Sequence, residues 1–189
     1  VCGEWGTIEE EVVRVESDKS KTKLSGLRYR DAHASNSPQR IQEVSVSHEE
    51  RIDMHNAELN RVLGGGLVKG SMVLLGGEPG IGKSTLALQV LMRSGDTKTL
   101  YASGEESVKQ LKLRAARLAG DPSSLYVLAE TNLDTILDYA LELQPEVVVI
   151  DSIQTIATDG VDSSIGSLSQ VRECATRILR FAHSRTWLK

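Results

Sequence analysis

Aromatic residues are scarce in this chain. They make up 4% of its 189 residues, while hydrophobic residues in all make up 40%, so aliphatic side chains must fill its core. Cysteine is rarer still: Cys2 and Cys174 are the only two, too few for a disulfide scaffold. No apolar run reaches the length of a membrane span. No signal peptide pattern is visible, so a cytoplasmic location without a membrane partner is expected. Positive charge is not in excess either. Lys and Arg number 22 against 26 Asp and Glu, a formal net charge of -4. Bulk charge therefore gives no case for nucleic-acid binding, which would need a local basic patch. The histidines His33, His48, His55 and His183 are scattered and show no metal-ligand spacing. The length suits one α/β domain with a real core. The chain begins at Val1 without a methionine and ends at Lys189 straight after a helical pattern. A fragment of a longer protein is expected.

What is present is a phosphate-binding loop. Gly77-Glu78-Pro79-Gly80-Ile81-Gly82-Lys83-Ser84-Thr85 fits G-x-x-x-x-G-K-[ST]. Its glycines let successive backbone N–H groups turn inward around an anion. Lys83 brings a cation to the β/γ-phosphates of a nucleotide, and the Ser84 hydroxyl can complete a Mg²⁺ shell. The helix that begins here adds its positive end. The flanks agree: residues 71–75 read as a buried strand, and residues 85–93 as a helix closed by Ser94-Gly95.

The rest of the chain alternates strands and helices. Residues 1–15 hold a compact Cys-Gly-Glu-Trp-Gly-Thr and a short strand pattern, and residues 16–50 form a polar linker. Residues 51–189 carry the main domain. Asn56 is placed to cap a short helix to Leu63, ended by Gly64-Gly65-Gly66. Strands are expected over 97–103, 125–129 and 146–151, with helices over 106–118, from Leu133 to before Pro145, and over 167–183. Lys109, Lys112, Arg114 and Arg117 lie mostly away from the apolar face of the helix over 106–118; they read as a solvated face, with contact to nucleic acid the other reading. The alternation implies an α/β fold with a parallel sheet and right-handed crossovers.

Two acids stand where chemistry needs them. Asp151 ends an aliphatic strand, and the carboxyl end of a parallel strand faces the ligand site of open α/β sheets. It suits a second Mg²⁺-positioning group. Glu105-Glu106 follows the strand over 97–103, and hydrolysis needs a carboxylate to orient the attacking water. Glu105 is the candidate; an acidic first turn favoured by the helix dipole is the competing explanation. Ser152 and Gln154 suit either a γ-phosphate sensor or a plain polar turn. Cys2 sits beside a glycine, as in zinc knuckles, yet one cysteine cannot hold zinc. Cys174 lies on an apolar helical stripe and reads as core. Residues 156–166 form a candidate mobile loop that carries no Lys or Arg to grip phosphates.

Residues 63–71, 77–85, 101–107 (Tyr-Ala-Ser-Gly-Glu-Glu-Ser) and 149–155 (Val-Ile-Asp-Ser-Ile-Gln-Thr) closely resemble the bacterial RadA (Sms) family of DNA repair proteins. Residues 2–7 look like the tail of that family's N-terminal four-cysteine zinc finger, and residues 166–174 like its segment after the Mg²⁺ aspartate. The likeness covers most of residues 51–183. It implies a RecA-like P-loop ATPase core with a mostly parallel sheet, truncated at its C-terminus and preceded by a zinc-finger tail and a linker. It implies a DNA-dependent ATPase of recombinational repair that promotes branch migration. The implied cofactors are ATP and Mg²⁺, with Zn²⁺ at Cys2 in the parent protein only. The implied partners are single-stranded or branched DNA, a recombinase filament and further copies in a homo-hexamer. By the same likeness Lys83, Ser84 and Asp151 carry nucleotide and Mg²⁺, and Glu105 activates water.

The chain also departs from the family. Three zinc cysteines, the closing strands, the Lys-Asn-Arg-Phe-Gly motif and a Lon-protease-like domain are absent from these residues. The isolated chain is therefore expected to hydrolyse ATP poorly or not at all. Two other readings stand beside this one: a RecA-fold ATPase of another kind, KaiC-like or a DnaB-like helicase, and a truncated, inactive nucleotide-binding copy.

Overall fold

Residues 40–44 and 50–185 are described in a computed structural model. The chain divides into two units, Val1–Ser45 and Val46–Lys189. In the first, the described residues make one 3₁₀ turn, Ile41–Glu43, with no buried side chain. The expected strand within 1–15, Cys2 and most of the linker lie outside the described residues.

The second unit opens with a small ribbon. Strand β1 (Arg51–Ile52) pairs antiparallel with β2 (Leu67–Val68), and α1 (Ala57–Val62) lies between them in sequence. Asn56 caps α1 as its residue type suggests, its side chain accepting from the Leu59 N–H at 2.9 Å. Arg51 Nη1 donates to the Leu63 carbonyl at 2.8 Å, which fastens the ribbon to the end of that helix.

Helix α2 (Lys83–Met92) leads into alternating elements: β3 (Thr99–Ser103), α3 (Val108–Ala115), β4 (Leu125–Ala129), α4 (Leu133–Leu143), β5 (Val147–Asp151) and α5 (Leu168–Arg185). The three strands form a parallel sheet in the order β4-β3-β5. All five residues of β3 are buried, because helices cover both its faces. Tyr101 packs with Leu88 and Leu91 of α2 and Leu111 of α3. Its neighbour Ala102 points the other way, to Leu133 and Ile136 of α4 and Cys174 of α5. Each fully buried Leu or Ile in these clusters contributes roughly 1.5–3 kcal/mol.

Caps explain the helix boundaries. Helix α3 starts at Val108, two residues later than its apolar pattern suggests, because Ser107 and Gln110 close a capping box there. Helix α4 stops at Leu143, where Gln144 turns left-handed at φ 51° ahead of Pro145. Helix α5 runs as expected, with Cys174 and Gln170 at its most buried positions.

One expected element is missing. Residues 71–75 pair with no strand, and Met72, Val73, Leu74 and Leu75 are 42%, 52%, 82% and 46% exposed. An apolar strand of this kind gains its burial from partners at both edges and helices on both faces. Among the described residues β5 pairs only with β3, and no strand stands beyond it to enclose the run.

Candidate nucleotide and metal site

The phosphate loop ends where α2 begins. Gly82 is the cap residue, left-handed at φ 101°, and no side chain closes the helix end. Nothing lies within 4 Å of a Cβ built there, so the backbone angle rather than crowding makes this position glycine. The first-turn N–H groups of α2 therefore face outward at the positive end of its dipole. Lys83 Nζ donates to the carbonyls of Gly77 and Glu78 at 2.8 and 2.9 Å. Its ammonium is thus held over the loop by the loop's own backbone. Residues 77–82 and Thr85 are exposed, while Lys83 and Ser84 are half-buried at the start of the helix.

The acids meet through strand pairing. Ser103 ends β3 and stands in register with Asp151, which ends β5. The Gly104 N–H continues the ladder to the Asp151 carbonyl at 3.0 Å. Ser103 Oγ accepts from the N–H groups of Glu105 and Glu106 at 3.3 and 3.0 Å, which turns the chain sharply after the strand. The Glu105 carboxylate then receives the Ser152 hydroxyl at 2.9 Å. The Asp151–Ser152 peptide bond is cis. A Cβ at Gly104 would collide with Thr155 Oγ1, so only glycine lets the two post-strand turns approach this closely. Thr155 Oγ1 in turn donates to the Ser152 carbonyl at 2.9 Å. Gln154 sits exposed in the same turn.

Glu106 faces elsewhere. It pairs with Arg114 Nη2 of α3, so Arg114 is turned inward and is not part of a solvated basic face. Helical periodicity places only a Cβ, whereas a long arginine can carry its head back over two turns. Two buried atoms of this pair, Glu106 Oε2 and Arg114 Nη1, have no hydrogen-bond partner. Asp151 accepts a hydrogen bond from the hydroxyl of Tyr101, a fully buried residue of β3. Burial pushes the Tyr101 phenol up from its ordinary pKa, the Asp151 carboxylate adds to the rise, and the Arg114 charge opposes it. An open hollow at the ends of β3 and β4 is lined by Ser103 to Ser107 and by Ala129, Glu130 and Thr131.

The donor types are those of a hard cation: Mg²⁺ is held by one or two carboxylates, hydroxyls, phosphates and water, and Asp151 and Ser84 would offer a carboxylate and a hydroxyl. Among the described residues, no three His, Cys, Asp or Glu side chains gather as a protein-only metal cage. Cys174 is core, as its stripe suggests. It is buried beside Ala102, Leu133, Ile136 and Ile156, and this burial pushes its thiol pKa up.

The loop over 156–166, a candidate mobile loop by sequence, is tied to its surroundings at several points. Ile156 and Thr158 are buried, and Gln170 of α5 reaches across to bond the backbone of Thr158, Val161 and Ser163. Beside it, Arg177 of α5 forms a forked pair with Asp134 of α4 and also reaches Thr158. The contacts that Tyr101, Arg114 and Gln170 make escape a reading by motif. Gln170 left one signal: it lies four residues before Cys174 and eight before Ile178, on the same inward stripe.

Residues 35–186 match the AAA domain family. Three curated relatives carry the name DNA repair protein RadA. The Bacillus subtilis protein is 45% identical over 186 residues, which is 97% of this chain and 40% of the relative. The Listeria monocytogenes protein is 46% identical over 183 residues, covering 96% and 38%. The Pseudomonas aeruginosa protein is 44% identical over 182 residues, covering 96% and 39%. The chain thus spans about two-fifths of the length of these relatives. No helix among the described residues is long and apolar enough to cross a membrane. The α/β architecture, the phosphate loop opening α2 and the paired strand ends all agree with the sequence match: the chain belongs to the AAA domain family, and its resemblance to RadA runs along nearly its whole length.

Proposed function

We propose that this chain is the nucleotide-binding part of an ATP-hydrolysing DNA repair protein of the RadA type. One observation carries the reading. Asp151 and Glu105 stand together at the carboxyl ends of adjacent parallel strands, in a chain whose phosphate loop opens a helix. ATP phosphates lie in the loop over 77–85, against the N–H groups and the positive end of α2. Lys83 neutralises charge on the β/γ-phosphates. Ser84 and Asp151 hold Mg²⁺, which when bound supplies positive charge to the phosphate oxygens. Glu105 orients the attacking water, and Ser152 fixes its carboxylate. Gln154, exposed beside them, senses the γ-phosphate.

The likeness to RadA extends the proposal to the parent protein. It acts on single-stranded or branched DNA beside a recombinase filament, as a homo-hexamer in the cytoplasm, and promotes branch migration. Zinc belongs to the parent's N-terminal finger, of which Cys2 is a member. The isolated chain turns ATP over poorly. The exposed run over 72–75 supports that expectation, since among the described residues no strand pairs with the backbone from which the phosphate loop hangs.

The test is adenine-nucleotide binding with Mg²⁺, followed by turnover with and without single-stranded DNA, in the protein as the cell makes it. Lys83→Ala is expected to abolish binding. Glu105→Gln should keep binding and lose about 10²–10⁴-fold in turnover. Absence of Mg²⁺-nucleotide affinity, or affinity unchanged by Lys83→Ala, would overturn the proposal.

A further inference from the structure

Asp151 has a second face that the nucleotide reading does not use. Tyr101 stands opposite Val149 in the β3–β5 register, and Ser103 stands opposite Asp151. Tyr101 and Asp151 therefore project from the same face of the sheet, on the diagonal between neighbouring strands. A tyrosine ring is long enough to bridge that diagonal. Its hydroxyl donates to Asp151 Oδ2, and the rest of the ring is sealed between α2 and α3 with no surface exposed.

A buried phenol must find an acceptor. Here the acceptor is the carboxylate at the strand's end. The bond occupies one lone pair of Oδ2 and restrains the rotation of the group, which leaves Oδ1 and the other lone pair of Oδ2 for further partners. The Arg114 charge on α3 opposes the rise in the pKa of this phenol, and Arg114 is itself tied to Glu106, the residue after Glu105.

Resting on the Mg²⁺ role given to Asp151 above, we propose that Tyr101 is the positioning residue of the metal site: its hydroxyl presets the Asp151 carboxylate for Mg²⁺. Partners of this kind set ligand orientation, and their loss typically costs 10–100-fold in metal affinity. The ring supplies no ligand and touches no substrate; it acts through Asp151.

The experiment titrates Mg²⁺ into the protein, as the cell makes it, with a fluorescent ADP analogue, and compares wild type with Tyr101→Phe. Removing one oxygen keeps the ring's packing, and thermal melting without ligand checks that the variant is folded. The expected result is a Mg²⁺ half-saturation point raised at least about 10-fold, with metal-free nucleotide affinity unchanged. In an Asp151→Asn background, Tyr101→Phe should add no further shift. A purely structural hydroxyl would lower the melting point and leave the Mg²⁺ titration where it was, and that outcome overturns the inference. A further Mg²⁺ shift in the Asp151→Asn background would overturn it too, since the hydroxyl would then act by another route. If wild type itself shows no Mg²⁺-dependent nucleotide binding, the proposed function falls and takes this inference with it. If wild type binds and Tyr101→Phe titrates identically, only the positioning role fails.

Discussion

Gln170→Met removes an amide from the interior while keeping an unbranched side chain of similar length. Gln170 is 3% exposed, and its Oε1 accepts the Thr158 N–H at 3.1 Å. Its Nε2 faces the carbonyls of Thr158, Val161 and Ser163 at 3.2, 3.0 and 3.1 Å. An amide nitrogen has only two hydrogens, so the three carbonyls share them and the side chain makes at most three full bonds. At about 1 kcal/mol net for each bond, the loss is roughly 3 kcal/mol. The Thr158 N–H, in a residue 2% exposed, is then left without a partner, which adds about 1 kcal/mol or more. Burying a thioether in place of an amide returns part of this. The net expectation is a loss of about 2–4 kcal/mol, well outside the roughly 0.5 kcal/mol of ordinary surface changes. Urea unfolding reads it directly. With a slope of about 2 kcal/mol per molar, the midpoint should fall by about 1–2 M at unchanged slope. Gln170→Glu should do no better, because a carboxylate would then face three carbonyls. A midpoint within about 0.25 M of wild type for the methionine variant would refute the reasoning, and residues 156–166 would have to be held by something other than this amide.

Two further predictions concern the packing of α4 and α5. Hydrogen bonds from Arg177 hold the Asp134 carboxyl below its ordinary pKa, so the pair stabilises the fold above the unfolded value and loses that effect as pH falls through the folded one. The side chains are 30% and 40% exposed, so Asp134→Asn should cost only about 1 kcal/mol near pH 7. The gap to wild type should narrow with added salt and close as the pH falls below the ordinary carboxylate range, as paired urea curves across pH would record. A gap that widened on acidification would contradict the sign. Asn132 caps α4 by accepting from the Thr135 N–H at 3.0 Å, and Asn132→Ala should cost about 1 kcal/mol in the same assay. The effect should stop there, because the backbone bonds from Leu133 to Ala157 and from Ala157 to Thr131 do not involve the side chain.

Much of this architecture is legible in the sequence where a residue type has a local reason to be where it is. Strand β4 lies over 125–129 as expected, and β5 ends on Asp151. Asn56 caps α1 because its side chain can reach a free N–H three residues on. The phosphate loop opens α2 because glycine alone accepts the backbone angle at 82. What was not legible depends on partners distant in the chain. Residues 71–75 carry every local mark of a buried strand and are not one, since pairing is a property of neighbours and not of composition. Strand β3 is buried on both faces, so no alternation distinguishes Tyr101, whose hydroxyl needs a partner fifty residues away. Arg114 and Glu106 lie eight residues apart, outside the spacings at which helix charges are usually paired. Gln170 reads as a polar interruption of an apolar stripe until the backbone it serves comes into view.

The contact at Gly104 limits how this site can change over generations. The forbidden atom is the first carbon of a side chain, and every other amino acid possesses it. No graded series of sizes can therefore be explored at 104: alanine meets Thr155 as surely as tryptophan does. A substitution there must arrive together with a smaller residue at 155 or with a parting of the two turns that carry Glu105 and Ser152. The spacing between those two side chains is in this sense inherited whole, with no intermediate values for selection to sample one step at a time.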